Sequence, residues 1–153
     1  MAKKNVEIGK ATVAVSYEVE RGKIKEFATA LGDSNPVYFS REEARKQGYR
    51  DIIAAPTFGL PVKRWGSGVS DYGEYCKMLD IDPQMVVHGE QEFLYFGEIN
   101  PGDVLTGQEY LTDLIEKDTM YLLVCETKFY NQDGAHVLTS RFTQIERKRK
   151  GVS

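Results

Sequence analysis

The strongest constraint on the fold lies in the second half of the chain, where the hydrophobic period becomes that of strands. Four segments read as strands: 88–96, 104–114, 120–130 and 136–145. They are separated by Asn100-Pro101-Gly102-Asp103, Glu116-Lys117-Asp118 and Asn131-Gln132-Asp133-Gly134. Each break is rich in turn-forming residues, and the last suits a tight hairpin. Short turns between successive strands return the chain antiparallel, so this half predicts a run of antiparallel strands rather than a wound parallel sheet.

The first half differs. Residues 12–19 alternate, with Val13, Val15, Tyr17 and Val19 on one face, which predicts a strand buried on one side. In the next segment Ile24, Phe27, Ala28 and Leu31 fall at helical spacing, predicting an amphipathic helix over 21–31. Gly32-Asp33-Ser34-Asn35-Pro36 ends it. A short second helix follows, with Ser40 and Glu43 as a capping box and Gly48 as its left-handed terminator. Residues 56 to about 69 predict a third helix carrying Phe58, Val62 and Trp65, in which Pro61 marks either a kink or a later start. The polar segment 70–84 predicts a loop, with room for a helical turn around 75–79. One strand, then helices, then a block of strands is the order of an α+β domain. A curved antiparallel sheet wrapped on one long helix fits it.

Length and composition narrow the function classes. A chain of 153 residues fits one domain, 1–153, able to bury a core without disulfides or metals. A net charge of −3 argues against a nucleic-acid surface. The basic run Arg147 to Lys150 reads as a solvated tail, about 147–153. No apolar stretch follows Lys3 and Lys4, so neither a signal peptide nor a membrane span is expected, and the expected location is the cytoplasm. Cys76 and Cys125 stand in no paired motif, which suits a reducing compartment. With no phosphate loop, dinucleotide fingerprint or spaced metal ligands, neither a cofactor nor a metal is expected. Gly66-Ser67-Gly68 lacks nucleophile-elbow spacing and reads as a flexible helix end.

The segment Phe27-Ala28-Thr29-Ala30-Leu31-Gly32-Asp33-Ser34-Asn35-Pro36-Val37-Tyr38 resembles the signature of MaoC-like, R-specific enoyl-thioester hydratases and (3R)-hydroxyacyl dehydratases. In that signature Gly-Asp-x-Asn-Pro is followed two residues later by histidine. Gly32, Asp33, Asn35 and Pro36 match, as does a downstream alanine at Ala44, but Tyr38 stands where the histidine would be. The resemblance continues through Gly48-Tyr49, Ala54-Ala55-Pro56-Thr57-Phe58, Val87-His88-Gly89-Glu90-Gln91-Glu92-Phe93 and Pro101-Gly102-Asp103-Val104. Together these look like the non-catalytic half of two-subunit hydroxyacyl-carrier dehydratases. The resemblance implies a hotdog fold and a ligand that is an acyl-CoA or acyl-carrier thioester. It also implies pairing with a catalytic hotdog subunit or, in a non-catalytic binding module, with a second copy.

The chemistry implied is removal or addition of water at the 3-position of an acyl thioester. That needs a base for the α-proton, an acid for the hydroxyl and a donor to the thioester oxygen. The resemblance assigns Asp33 and Tyr38 to the catalytic positions, and Asn35, Thr57, Phe58, His88 and Gly89 to substrate contact. A phenol titrates near pH ~10, so Tyr38 is expected to exchange hydrogen bonds rather than act as base. Ala55-Pro56 replaces the usual histidine-glycine pair, which leaves Thr57 or Phe58 as the oxyanion donor because proline has no N–H. Each position has a plainer alternative. Asp33 and Asn35 serve a turn, His88 is a satisfied structural histidine, His136 is exposed beside its turn, and Phe58, Trp65, Tyr95 and Phe96 are core rather than tunnel lining.

Overall fold

The computed structural model describes residues 4–149. The chain forms β1 (Ala11–Glu18), α1 (Arg21–Leu31), a 3-10 turn at Pro36–Tyr38, α2 (Arg41–Lys46), α3 (Gly59–Gly66) and α4 (Tyr72–Met78). It continues through β2 (Val86–Tyr95), β3 (Val104–Glu116), β4 (Met120–Tyr130) and β5 (His136–Arg147). The strands make one antiparallel sheet in the order β1-β3-β4-β5-β2. β1 and β2 occupy the two edges, and the β3-β4-β5 meander fills the space between them.

The strand alternation is reproduced in burial, with Val13, Val15 and Val19 buried while Ala14, Ser16 and Glu18 face out. α1 ends as a left-handed glycine ends a helix. Gly32 has φ of 71°, and the N–H groups of Gly32 and Asp33 donate to Thr29 and Ala28 carbonyls. In α2 the Ser40 hydroxyl accepts from the Glu43 N–H at 3.3 Å. The Glu43 carboxylate pairs with Lys46, so only half of the expected box forms.

Two helices differ from the sequence expectation. α3 starts at Gly59 instead of residue 56, because 56–58 are spent in turns: Phe58 N–H donates to Ala55 and Leu60 N–H to Thr57. Pro61 then falls in the first helical turn, where a missing N–H costs nothing, so it marks a later start and no kink. α4 extends the helical turn expected around 75–79 into a seven-residue helix, Tyr72–Met78, within a segment otherwise expected to be a loop. Asp71 caps it by accepting from Gly73 N–H at 2.9 Å, and Tyr75 and Cys76 bury its inner face. The strands β2, β3 and β5 also run about two residues beyond their expected limits, beginning at Val86 and ending at Glu116 and Arg147.

The helix laid across the sheet is short, eight residues, and has glycine at both ends. A Cβ on Gly59 would lie 2.5 Å from Leu138 of β5, and one on Gly66 would lie 2.9 Å from the Ser16 carbonyl of β1. Glycine therefore lets the backbone of α3 approach both strands closely. Phe58, Val62, Leu105, Phe129 and Leu138 fill the space beneath it. Tyr75, Leu79, Leu111, Leu123 and Phe142 form a second cluster under α4. Each such side chain contributes about 1.5–3 kcal/mol of burial.

The basic run is not a free tail over the residues described. Arg147 ends β5, Lys148 pairs with Glu116, and Arg149 pairs with Asp82. Residues 150–153 lie outside the described part. No helix among the described residues is long and apolar enough to cross a membrane. Cys76 and Cys125 are both buried free thiols.

Candidate functional site

The Gly32–Pro36 segment is a pair of overlapping side-chain turns. Asp33 Oδ1 accepts from Asn35 N–H at 3.0 Å, and Asn35 Oδ1 accepts from Val37 N–H at 3.2 Å, capping the 3-10 turn. The two motif side chains are thus each engaged by the local backbone, while Asp33 itself stays exposed. Their effect is to aim the next residues inward. Val37 and Tyr38 are buried against Ala28, Ala44 and Ala55.

Tyr38 is 7% exposed, and among the described residues its hydroxyl has no hydrogen-bond partner. Burial first, then the negative charge of Asp33, pushes its pKa above the usual phenol value. At neutral pH it is a protonated donor, and nothing near it makes it a base. Tyr95, at the end of β2, is likewise pushed up by burial and by Tyr38. Although 39% of Tyr95 is exposed, its hydroxyl donates to the Pro56 carbonyl at 2.6 Å and so ties β2 to the approach to α3.

The stretch 50–57 is held by ionic clamps. Asp51 accepts two hydrogen bonds from Arg21 at 2.7 Å each and two from Arg41, at 2.6 and 3.1 Å. These guanidinium bonds hold its carboxyl far below the ordinary carboxylate range. Arg50 reaches Asn100 at 2.6 Å and also the buried Asp103, so Pro101-Gly102-Asp103 is an anchoring turn. Asn100 Nδ2 returns to the Ile52 carbonyl at 3.2 Å. Of the two expected oxyanion donors, Phe58 N–H is taken by Ala55 at 2.9 Å, and Phe58 itself is fully buried core. Thr57 is exposed, and among the described residues its N–H has no partner. It remains available at the approach to α3.

His88 and Gly89 separate. Gly89 is the extra residue of a β-bulge, since His88 pairs with Gln144 and Glu90 with Thr143. The close approach it permits is to Ile145, 2.7 Å from where its Cβ would stand. His88 is exposed, makes no hydrogen bond among the described residues, and stacks on Phe142 at 5.8 Å. The satisfied structural role is therefore not the one it has. His136, expected to be exposed, is half-buried, stacked on Phe96 and 2.9 Å from the Thr139 hydroxyl. Trp65 and Phe96 are 44% and 62% exposed and so are not core, whereas Phe58 is.

His88 also lines a cavity of about 500 Å³ between α3, α4 and the sheet, with Phe27, Leu60, Val69 and Phe142 among its walls. Lys63, Tyr75 and Gln144 give it a polar floor, backed by the buried Glu109, which the sequence reading did not anticipate. Glu109, fully buried on β3, is paired with Lys63 and accepts from the hydroxyls of Thr12 at 2.6 Å and Tyr75 at 2.9 Å. Lys63 Nζ lies 3.8 Å from the Phe142 ring centroid. Gln144, 5% exposed, lines the same cavity, and among the described residues its carboxamide makes no hydrogen bond. A signal for Glu109 was present: Leu105, Glu109 and Leu111 share one strand face, so a carboxylate sits in the inward register.

Comparison with known proteins agrees with this architecture. The family described as FAS1-like, dehydratase domain region, matches residues 7–140. A UPF0336 protein of Thermobifida fusca is 38% identical over 126 residues, covering 81% of this chain and 80% of the relative. Among solved structures, the C-terminally truncated HadBC (3R-hydroxyacyl-ACP dehydratase) complex of Mycobacterium tuberculosis superposes with a TM-score of 0.79 at 22% identity, covering 94% of this chain and 99% of the other. The ChsH1-ChsH2 complex from the same organism gives 0.73 at 23% identity, over 93% and 85%. At these identities the structural likeness speaks for the fold, which is the hotdog fold of the MaoC-like dehydratases.

Proposed function

Because this chain belongs to the FAS1-like dehydratase-region family, we propose that it is the acyl-thioester-holding subunit of a (3R)-hydroxyacyl dehydratase or R-specific enoyl hydratase. The base comes from a second hotdog subunit that retains the motif histidine. The observation that carries this reading is Tyr38: a buried phenol with a raised pKa occupies the position of the base. A group in that state donates a hydrogen bond and does not abstract an α-proton. At the approach to α3, the Thr57 N–H, without a partner among the described residues, offers a donor for the thioester oxygen, whose negative charge grows as the α-proton leaves.

A partner surface supports the same reading. β2 is an edge of the sheet, and beside its charged Glu90 and Glu92 it exposes the apolar Val87, Leu94 and Tyr95, followed by exposed Phe96. Pairing that edge with a second hotdog sheet would satisfy its backbone and cover these residues. The alternative is a homodimeric, non-catalytic binder of acyl-CoA or acyl-carrier thioesters, and one experiment separates the two. The chain is co-expressed with the product of a neighbouring gene that carries Gly-Asp-x-Asn-Pro-x-His, and hydration of a crotonyl thioester is followed. Turnover by the complex and none by either protein alone is expected. A stable, inactive homodimer that binds thioesters and ignores the second protein would favour the binding module.

A further inference from the structure

Resting on the acyl-thioester reading above, we propose that the cavity beneath α3 selects acyl chains that carry a hydroxyl near their far end. The volume of about 500 Å³ lies within the range of small-molecule sites, roughly 300–1,000 Å³. At roughly 30 Å³ per molecule it would take on the order of fifteen waters, most of them facing Phe27, Leu60, Val69 and Phe142 with nothing to bond. A flexible apolar chain suits those walls better than water does.

The route into the cavity fits a thioester held at Thr57. Leu60, on the cavity wall, is three residues further on, one helical turn along α3, and it is 47% exposed. A chain running along α3 from Thr57 passes Leu60 and Pro61 and arrives at Lys63, Gln144 and His88.

The floor then decides the chemistry of the chain end. Gln144 is nine-tenths buried, and its amide oxygen is a buried acceptor that no donor among the described residues engages, a costly state unless a ligand completes it. His88 pairs with Gln144 across the strands, and its ring also lacks a hydrogen bond among the described residues. A carboxylate is disfavoured beside Gln144, because Lys63 is already neutralised by Glu109 and a second anion would sit beside that buried carboxylate, while Arg64, the other cation on the lining, is exposed and donates to the Val69 and Ser70 carbonyls. A purely aliphatic end leaves Gln144 unpaired. A hydroxyl donates to the amide oxygen without adding charge.

The test measures calorimetric binding of three N-acetylcysteamine thioesters to the full chain: decanoyl, ω-hydroxydecanoyl, and the decanedioyl monothioester with its free carboxylate. The ω-hydroxy chain is expected to bind about tenfold or more tightly than either other chain, the worth of one satisfied buried hydrogen bond. Gln144→Leu should abolish that preference while keeping decanoyl binding. Leu60→Trp, at an exposed position where folding is not at stake, should weaken all three by filling the entrance. Equal binding of decanoyl and ω-hydroxydecanoyl chains, tighter binding of the decanedioyl chain, or a preference that survives Gln144→Leu would overturn the proposal. If no chain binds but the two-subunit complex hydrates a crotonyl thioester too short to reach the floor, the cavity assignment fails and the subunit reading stands. If the ω-hydroxy preference holds and no complex has activity, the reverse is true.

Discussion

Replacing Lys63 by methionine keeps most of the apolar stem and removes the cation paired with a fully buried carboxylate. Glu109 is 0% exposed and keeps two hydroxyl donors, Thr12 and Tyr75, once Lys63 is gone. An unpaired charge there is strongly destabilising, and removing one partner of a buried pair costs about 3–5 kcal/mol. Urea unfolding at fixed protein concentration should therefore show Lys63→Met destabilised by about 3–5 kcal/mol at pH 7. The double variant Lys63→Met/Glu109→Leu, with no charge to strand, should recover to within about 1.5 kcal/mol of the unmodified protein. A loss below about 1 kcal/mol in the single variant, the worth of an exposed pair, or a double variant as damaged as the single, would refute the claim that Glu109 is a charge dependent on Lys63.

Further outcomes follow from the same geometry. Tyr38→His alone should leave turnover of a crotonyl thioester more than tenfold below a typical enzyme rate of about ten per second, because the pocket is built on Tyr38 and a smaller imidazole there is not held in line with the substrate; turnover at that rate would show a complete site with one altered residue. Asp51→Asn should cost about 2 kcal/mol at pH 7, after discounting the half-exposed arginines. The native Asp51 pKa is depressed, so this stabilisation is present above the unfolded value of about 3.9 and lost as pH falls below it; melting curves of both proteins should converge in acid. Gly66→Ala should destabilise by about 1–3 kcal/mol despite alanine's better helix propensity, since the new methyl meets the Ser16 carbonyl, and an unchanged melting temperature would contradict the close packing of α3. Leu94→Lys on the β2 edge should shift sedimentation toward monomer at micromolar concentration while leaving the circular dichroism intact.

What the sequence determined by itself was local. Alternation in 12–19 and from 88 onward, the amphipathic spacing of 21–31 and the turn chemistry at Gly32, Gly102 and Gly134 are properties of neighbouring residues, and the structure keeps all of them. The motif was legible for the same reason: Asp33 and Asn35 act on backbone two residues away. Helix limits were less so, because the start of α3 depends on turns at Ala55 and Thr57, and the existence of α4 depends on Tyr75 and Leu79 finding a core. The polar floor belongs wholly to tertiary structure. Lys63, Tyr75, Glu109 and Gln144 lie on four elements and share no spacing, and beyond the inward register of Glu109 on its strand nothing in the sequence links them. Only the close laying of α3 on the sheet, permitted by Gly59 and Gly66, brings them together. Sequence pattern records interactions over a few residues, whereas the cost of burying Glu109, and the pairing that offsets it, exist only once distant segments have excluded water from around it.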